Sequence, residues 1–372
     1  MKKVNGHQII EVLETWSPKR LAFEGDPVGL HIGQLNRQVN KVLITLDVNE
    51  LVIDEAIEQG ANLIIAHHPP LFRPLKTIST DTPQGKMIEK CIKNDITVYA
   101  AHTNLDIAQG GVNDMLAARL DLTETEPIEV THSEHLVKLA VFCPEADADQ
   151  LRYELAAAGA GAIGDYVGCS FSSQGVGRFT PVDGANPTIG EVGVPTLVDE
   201  ERIEVVFPEN LQAKVIKTLF AAHPYEEPAF DLFKMEQKTN VQGIGRIGYV
   251  NESMTLKQFA EHVKTVFQVP ALRFVGDATS IIRKVAVLGG DGNKYITAAK
   301  RKGADVLVTG DLYYHIAHDA QAMGLAVVDP GHNIEKIMIQ GVADKLAKLC
   351  KEKKFDIEFM ESKIITEPFQ FL

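Results

Sequence analysis

The chain has 372 residues, 45% of them hydrophobic and 23% charged, with a formal net charge of −13. That length exceeds what a single core usually holds, so two or more domains are expected. The acid excess argues against nucleic acid as the main partner. No apolar run reaches membrane-spanning length, and "MKKVNGHQIIEVLETW" lacks the apolar core and cleavage site of a secretory signal, so a cytoplasmic protein without membrane association is expected. Cys91, Cys143, Cys169 and Cys350 are scattered and form no CxxC pair, so neither a thiolate zinc site nor a disulfide framework is indicated. Any metal must then be held by histidine and carboxylate.

In chain order, "FEGDPVGLHIG" (23 to 33) reads as a glycine-punctuated loop and lacks the GxGxxG order of a phosphate-binding fingerprint. "KVLITLDVNELVIDEAIEQGANLIIAHH" (41 to 68) reads as strand, turn, helix, Gly-Ala and a second apolar strand, one βαβ unit. The run Leu63, Ile64, Ile65 is continuous, as in a parallel strand covered on both faces. Pro69 and Pro70 lack backbone donors, so the chain must leave the sheet at His67 and His68. Ligands of open α/β sheets bind beyond the carboxyl ends of strands, where these histidines lie. Neighbouring strand residues face opposite ways, so each is expected to serve one of two adjacent metals. A third strand, "ITVYAAHTNLD" (96 to 106), ends in a polar turn that carries Asp106.

The middle of the chain has a different character. "KLAVFCPEADADQLRYELAAAGAG" (138 to 161) resembles "RIEVVFPENLQAKVIKTLFAAHP" (202 to 224), each a strand followed by a helix. With strands near "FSSQGVGRFTPV" and "PAFDLFKM", this predicts a ferredoxin-like split βαβ inserted at about 128–235. The outer domain is then discontinuous, 1–127 with 236–372.

The outer domain repeats itself. "KVAVLGGDGNKYITAAKRKGADVLVTGD" (284 to 311) aligns without a gap to 41–68, setting Gly303 on Gly60 and Asp311 on His68. "LAVVDPGHNIE" (325 to 335) aligns to 96–106 and sets Glu335 on Asp106. Two such halves about a pseudo-two-fold axis would bring both carboxylates to one cleft. His332 and Glu335 stand three apart where "GHNIEKIMIQGVADKLAKL" enters an amphipathic helix, so both can share a face.

The candidate ligands are therefore His67, His68, Asp106, His332 and Glu335. Three imidazoles and two carboxylates suit zinc, and also manganese or iron, better than calcium or magnesium. Five ligands are too many for one tetrahedral catalytic zinc but suit two divalent ions about 3.5 to 4 Å apart, with a bridging carboxylate and water. Glu335, the longer acid, is expected to bridge, and Asp106 to hold the ion that His68 holds. His102, Asp47 and Asp311, at strand ends near the cleft, are candidates to back the ligands or face a substrate. His315 and His318, three apart on a predicted helix, are expected to satisfy local hydrogen bonds.

"PVGLHIG", "AHHPPLF", "AAHTNLDIAQGGVND", "GADVLVTGDLYYHIAHDA" and "GHNIEK", with "GAGAIGDYVGCSFSSQGVGRF", "GANPTIGEVG" and "HPYEEPAFDL" in the insert, resemble the NIF-like proteins, also called GTP cyclohydrolase type-2 homologues, in the bacterial form with a central PII/CutA-like insert. The resemblance implies an α/β fold, a pseudo-symmetric duplicated βαβ outer domain carrying an inserted α+β domain. It implies a di-metal site built on the five residues above and a toroidal homohexamer with its sites facing an interior cavity. In one departure, His332 and Glu335 are closer in sequence than in many relatives. A GTP cyclohydrolase activity is attached to the family name, yet the sequence holds neither a P-loop nor an NKxD-like element. The expected function is a metal-dependent hydrolase using a metal-bridged hydroxide on a small molecule, nucleotides among the candidates. The alternative is a ring-shaped binding or regulatory protein with structural metals and a sensing insert.

Overall fold

Both βαβ units form, and each is longer than its sequence alignment indicates. The structure, a computed structural model, describes residues 3–372. It divides into two compact units, one running to Thr131 and resuming at Gln242, the other His132–Val241. The junctions differ from 128 and 235 because the strands Glu129–Pro144 and Phe230–Ile244 run through them without a loop.

In the discontinuous unit, one sheet has the order Glu358–Glu361, Lys41–Thr45, Leu63–Ala66, Thr97–Ala100, Gly29–Ile32. The first four are parallel and the last is antiparallel. The second sheet contains the matching series Ile281–Asp291, Val306–Gly310, Ala326–Asp329, with antiparallel Arg273–Val275 at its edge. The repeat also reaches backward. Helices Gly6–Trp16 and Leu256–Val266 both open on a capping box, Asn5 with Gln8 and Thr255 with Gln258. Gly60 and Gly303 both adopt left-handed backbone, φ 73° and 83°, where a helix turns into the next strand.

Strand alternation sorts the core. Val42, Ile44, Leu63 and Ile65 of one sheet and Val285, Val287, Val306 and Val308 of the other enter a shared cluster with Leu13, Leu116, Phe259, Val342 and Leu346 from four helices. Leu43 and Ile64 point the other way, onto Val52, Ile53 and Ile88. Ala286, Leu307 and Val327 point onto Ile296, Ala299 and Ala320. Each sheet is thus covered on both faces, which explains the continuous apolar runs. Full burial of each Val, Leu, Ile or Phe side chain among these stabilises by about 1.5 to 3 kcal/mol.

The other unit runs Glu129–Pro144, Ala148–Ala157, Phe171–Phe179, Thr196–Pro208, Gln212–Ala222, Phe230–Ile244, a β-α-β-β-α-β order. Its strands lie fourth, first, third, second. Leu139, Val141, Ile203, Val205 and Phe207 bury against Leu151, Leu155, Val215 and Leu219 of its two helices, which gives it a core of its own.

The Ile128 amide donates to the Ile244 carbonyl at 3.1 Å, so the two ends of the interrupted unit already meet. Replacing 132–241 by a short Gly-Ser turn should therefore leave a folded protein with a cooperative thermal transition that still takes up metal. A folded deletion variant that takes up no metal would show that the insert helps to build the site.

Candidate metal centre

The site forms where the strands of both sheets end. Beyond Ala66, the His67 amide donates to the Thr45 carbonyl and the His68 amide to the Leu46 carbonyl, at 3.1 and 2.9 Å, so the ladder carries both histidines past the strand proper. His67 is fully buried and His68 is partly exposed, as alternation requires. Asp106 lies in the short helix Thr103–Ile107 after the third strand. His332 and Glu335 lie in the 3-10 turn His332–Lys336 that precedes helix Ile337–Glu352. A 3-10 helix has three residues per turn, so positions three apart eclipse. The short His332–Glu335 spacing thus suits the turn in which it sits.

These five side chains converge on the Glu335 carboxylate. Its Oε1 lies 3.9 Å from His67 Nε2, and its Oε2 lies 3.0 Å from His68 Nε2 and 3.2 Å from His332 Nε2. Asp106 Oδ1 is 3.5 Å from His67 Nε2. Asp106 therefore groups with His67 and not, as expected from sequence, with His68: helix Thr103–Ile107 turns its carboxylate toward the buried side of the strand ends. The sets His67, Asp106, Glu335 and His68, His332, Glu335 each place ligand atoms within 4.8 Å of one another, and His67, His68, His102 form a third such set.

Groups behind the rings orient them. His67 Nδ1 is 2.9 Å from the Ala101 carbonyl, His68 Nδ1 is 2.7 Å from Asp47 Oδ1, and His332 Nδ1 is 2.7 Å from Asp311 Oδ2. Each Nδ1–H donates outward, which turns each Nε2 to the centre. His102 is held in the same way by Asp26, at 2.9 Å. The fit to a cation rests on two orphaned atoms. His67 Nε2 and Asp106 Oδ1 are buried 3.5 Å apart with no hydrogen-bond partner, so a proton on the ring does not pair them fully, whereas a cation between them would satisfy both. Gly289 and Gly290 give Glu335 its room: a Cβ on either would stand 2.7 or 3.1 Å from Glu335 Oε1. A cavity of about 510 Å³ opens beside these residues, lined also by Phe23, Phe72, His102 and Lys294.

A model of the Duf34/NIF3 (NGG1p interacting factor 3) family matches residues 4–368. The chain belongs to that family. A Bacillus subtilis (strain 168) relative named "GTP cyclohydrolase 1 type 2 homolog" is 57% identical over 371 residues, and one from Halalkalibacterium halodurans is 55% identical over 372, each match covering 100% of both chains. Among solved structures, a Bacillus cereus protein related to NIF3 superposes with TM-score 0.91 at 54% identity, and Staphylococcus aureus protein SA1388 with TM-score 0.83 at 31%, each covering 100% of both chains.

In this NIF3-family chain the charges of the site are set by mutual contact. Burial disfavours a charged His68, but hydrogen bonds to Asp47 and Glu335 outweigh it and push its pKa up to about 10. The hydrogen bond to Glu335 raises His332, against burial, to about 9. Burial pushes Asp106 up to about 6 despite the neighbouring His67. Burial opposes charge on Glu335 as well, yet hydrogen bonds from His332 and His68 and the charge of the neighbouring His67 hold it well below the usual carboxylate range. Absent a metal, the imidazoles balance the acids by keeping protons.

Sequence reading pointed to Asp47, Asp311 and His102 but missed four contributors. Asp26 lies in the loop read only as glycine-punctuated, and it accepts from His102 and from the Thr103 amide and hydroxyl. Asn113 Nδ2 donates to the Asp106 carbonyl while its Oδ1 accepts from the Gly289 amide, tying the two repeats together. Thr366 reaches Asp47 from the far end of the chain. The Gly289–Gly290 pair was visible as a doublet ending an apolar strand, aligned with Leu46–Asp47. His315 and His318 fall outside the cluster, in helix Tyr314–Ala322, against the Tyr314 ring.

Metal uptake requires neutral imidazoles, so it must displace the His68 and His332 protons. Because both raised pKa values lie above 7, each group is protonated at neutral pH before binding. Zinc binding at pH 7 should release at least two protons, and the apparent affinity should rise with pH until it levels near pH 10, once His68 has lost its proton. Calorimetry in buffers of different ionisation enthalpy reads the proton count; no release would contradict this charge arrangement.

Proposed function

We propose that the protein is a metal-dependent hydrolase whose site holds two divalent ions, zinc foremost. The observation that carries this reading is the buried, unpartnered pair His67 Nε2 and Asp106 Oδ1, facing the same carboxylate that His68 and His332 approach from its other oxygen. His67 and Asp106 would hold one ion, His68 and His332 the other, with Glu335 shared between them. Two such ions supply Lewis acidity and a water acidified toward neutrality. The chain's own residues supply orientation and a binding wall. His102, held by Asp26, faces the cavity with Nε2 free for proton exchange with a bound substrate. Lys294 lies 5.6 Å from the ring centroids of both Phe23 and Tyr295 on the cavity wall. An ammonium beside apolar rings suits a substrate with an anionic group and a planar body, and nucleotides are within that class.

The second reading, a ring-shaped binding protein with a sensing insert, is favoured by one separate feature. The inserted unit has its own cavity of about 630 Å³, lined by Phe142, Val176, Phe179, Arg202 and Tyr225 among others. Under either reading we propose a cytoplasmic homohexamer. In support of a reducing compartment, all four cysteines are free and three of them are buried.

Metal stoichiometry across variants tests the site. His67→Ala and Asp106→Asn should each deplete one ion, His68→Ala and His332→Ala the other, and Glu335→Gln should weaken both. Loaded wild-type protein should turn over at least one member of a panel of nucleotides, phosphoesters and cyclic amides, and His102→Gln should slow that turnover; loss of an ion in His102→Gln would instead make His102 a ligand. Full loading without turnover of any member favours the binding protein.

A further inference from the structure

The last segment of the chain reaches the metal centre from a distance that sequence does not show. After edge strand Glu358–Glu361, the Ser362 amide donates to the Ile44 carbonyl at 2.9 Å and extends the pairing by one residue. The Ser362 hydroxyl and the Lys363 amide then donate to the two oxygens of Glu55, a carboxylate only 7% exposed on helix Glu50–Gln59. The tail is thereby pinned across the carboxyl end of strand Lys41–Thr45. Three residues on, the Thr366 hydroxyl donates to Asp47 Oδ2. The other oxygen of Asp47, Oδ1, accepts from His68 Nδ1 at 2.7 Å.

We propose that Thr366 is a positioning residue of the metal centre: it fixes the Asp47 carboxylate, and through it the His68 ring. This rests on the two-ion reading above. The backbone of Asp47 is held separately, since the Thr45 hydroxyl donates to the Asp47 carbonyl at 2.9 Å. What Thr366 adds is the rotation of the carboxylate. With both oxygens engaged, Asp47 presents Oδ1 to the imidazole in one orientation; with Oδ2 released, the side chain, 37% exposed, can turn to solvent. His68 would then lose the acceptor that selects its Nδ1–H tautomer and aims Nε2 at the centre. Among the described residues no equivalent hydroxyl reaches the His67 ring, whose acceptor is the Ala101 carbonyl. The effect is therefore confined to the ion shared by His68 and His332.

The test is zinc titration of full-length wild type, Thr366→Val and Thr366→Ser against a chromophoric chelator, with the visible spectrum of the cobalt(II)-loaded proteins as a second readout. Thr366→Val should weaken one ion about tenfold, the low end of the range for groups that orient a metal-binding histidine, and leave the other unchanged. Its cobalt spectrum should change, and Thr366→Ser, which keeps the hydroxyl, should restore both affinity and spectrum. Wild type that loads two ions while Thr366→Val matches it overturns the role of Thr366 and spares the two-ion site. Equal weakening of both ions, or no recovery in Thr366→Ser, also overturns the positioning role. Wild type that loads no metal overturns the two-ion reading itself, and this inference with it.

Discussion

The buried carboxylate of Glu335 is the constraint around which the site is built. At 2% exposure, an isolated anion would neutralise or unfold its surroundings. It stays charged because three imidazoles surround it. That requirement fixes much else: a 3-10 turn that aligns His332 above it, two glycines that make room for it, and two consecutive histidines from the opposite repeat. A carboxylate held this way has few neutral solutions. Either the imidazoles carry protons or cations replace them, so the same contacts that keep Glu335 charged also suit the cluster to hold a metal ion.

Duplication explains where the residues sit, but not what they are. Both repeats end a parallel strand at the same height, and both follow it with a turn carrying an acid, Asp106 or Glu335. The identities then diverge. Where the first repeat has His67 and His68, the second has Gly310 and Asp311; where the first has Leu46 and Asp47, the second has Gly289 and Gly290. A Cβ on Gly310 would come within 2.7 Å of the His332 backbone nitrogen. One repeat supplies rings and the other supplies space and an acid, so two equivalent frames yield one site at their junction.

This division accounts for what could be read in advance. The strand–helix–strand units, the five side chains at their ends and the interrupted outer unit were legible because hydrophobic periodicity and gapless self-similarity are local signals. The partnership of Asp106 with His67 was not, because it depends on how helix Thr103–Ile107 leaves the strand. Asp26 and Thr366 were invisible for a further reason. Their roles arise from hydrogen bonds between residues 76 and 319 positions apart, and an Asp in a loop or a Thr in a polar tail carries no pattern to mark it.

The groups behind the imidazoles follow the same electrostatic logic. His67, fully buried beside two carboxylates, is backed by a neutral carbonyl; a third buried anion there would raise the cost of desolvation with no donor to offset it. His68 and His332 lie nearer to solvent, and their partners Asp47 and Asp311 have side chains 37% and 41% exposed, where a charge is cheap. Asp26, the buried exception with its side chain 5% exposed, receives the Thr103 amide and hydroxyl in addition to His102. A carboxylate is thus tolerated behind a ring where water or extra donors can solvate it, and is replaced by a carbonyl where neither is at hand.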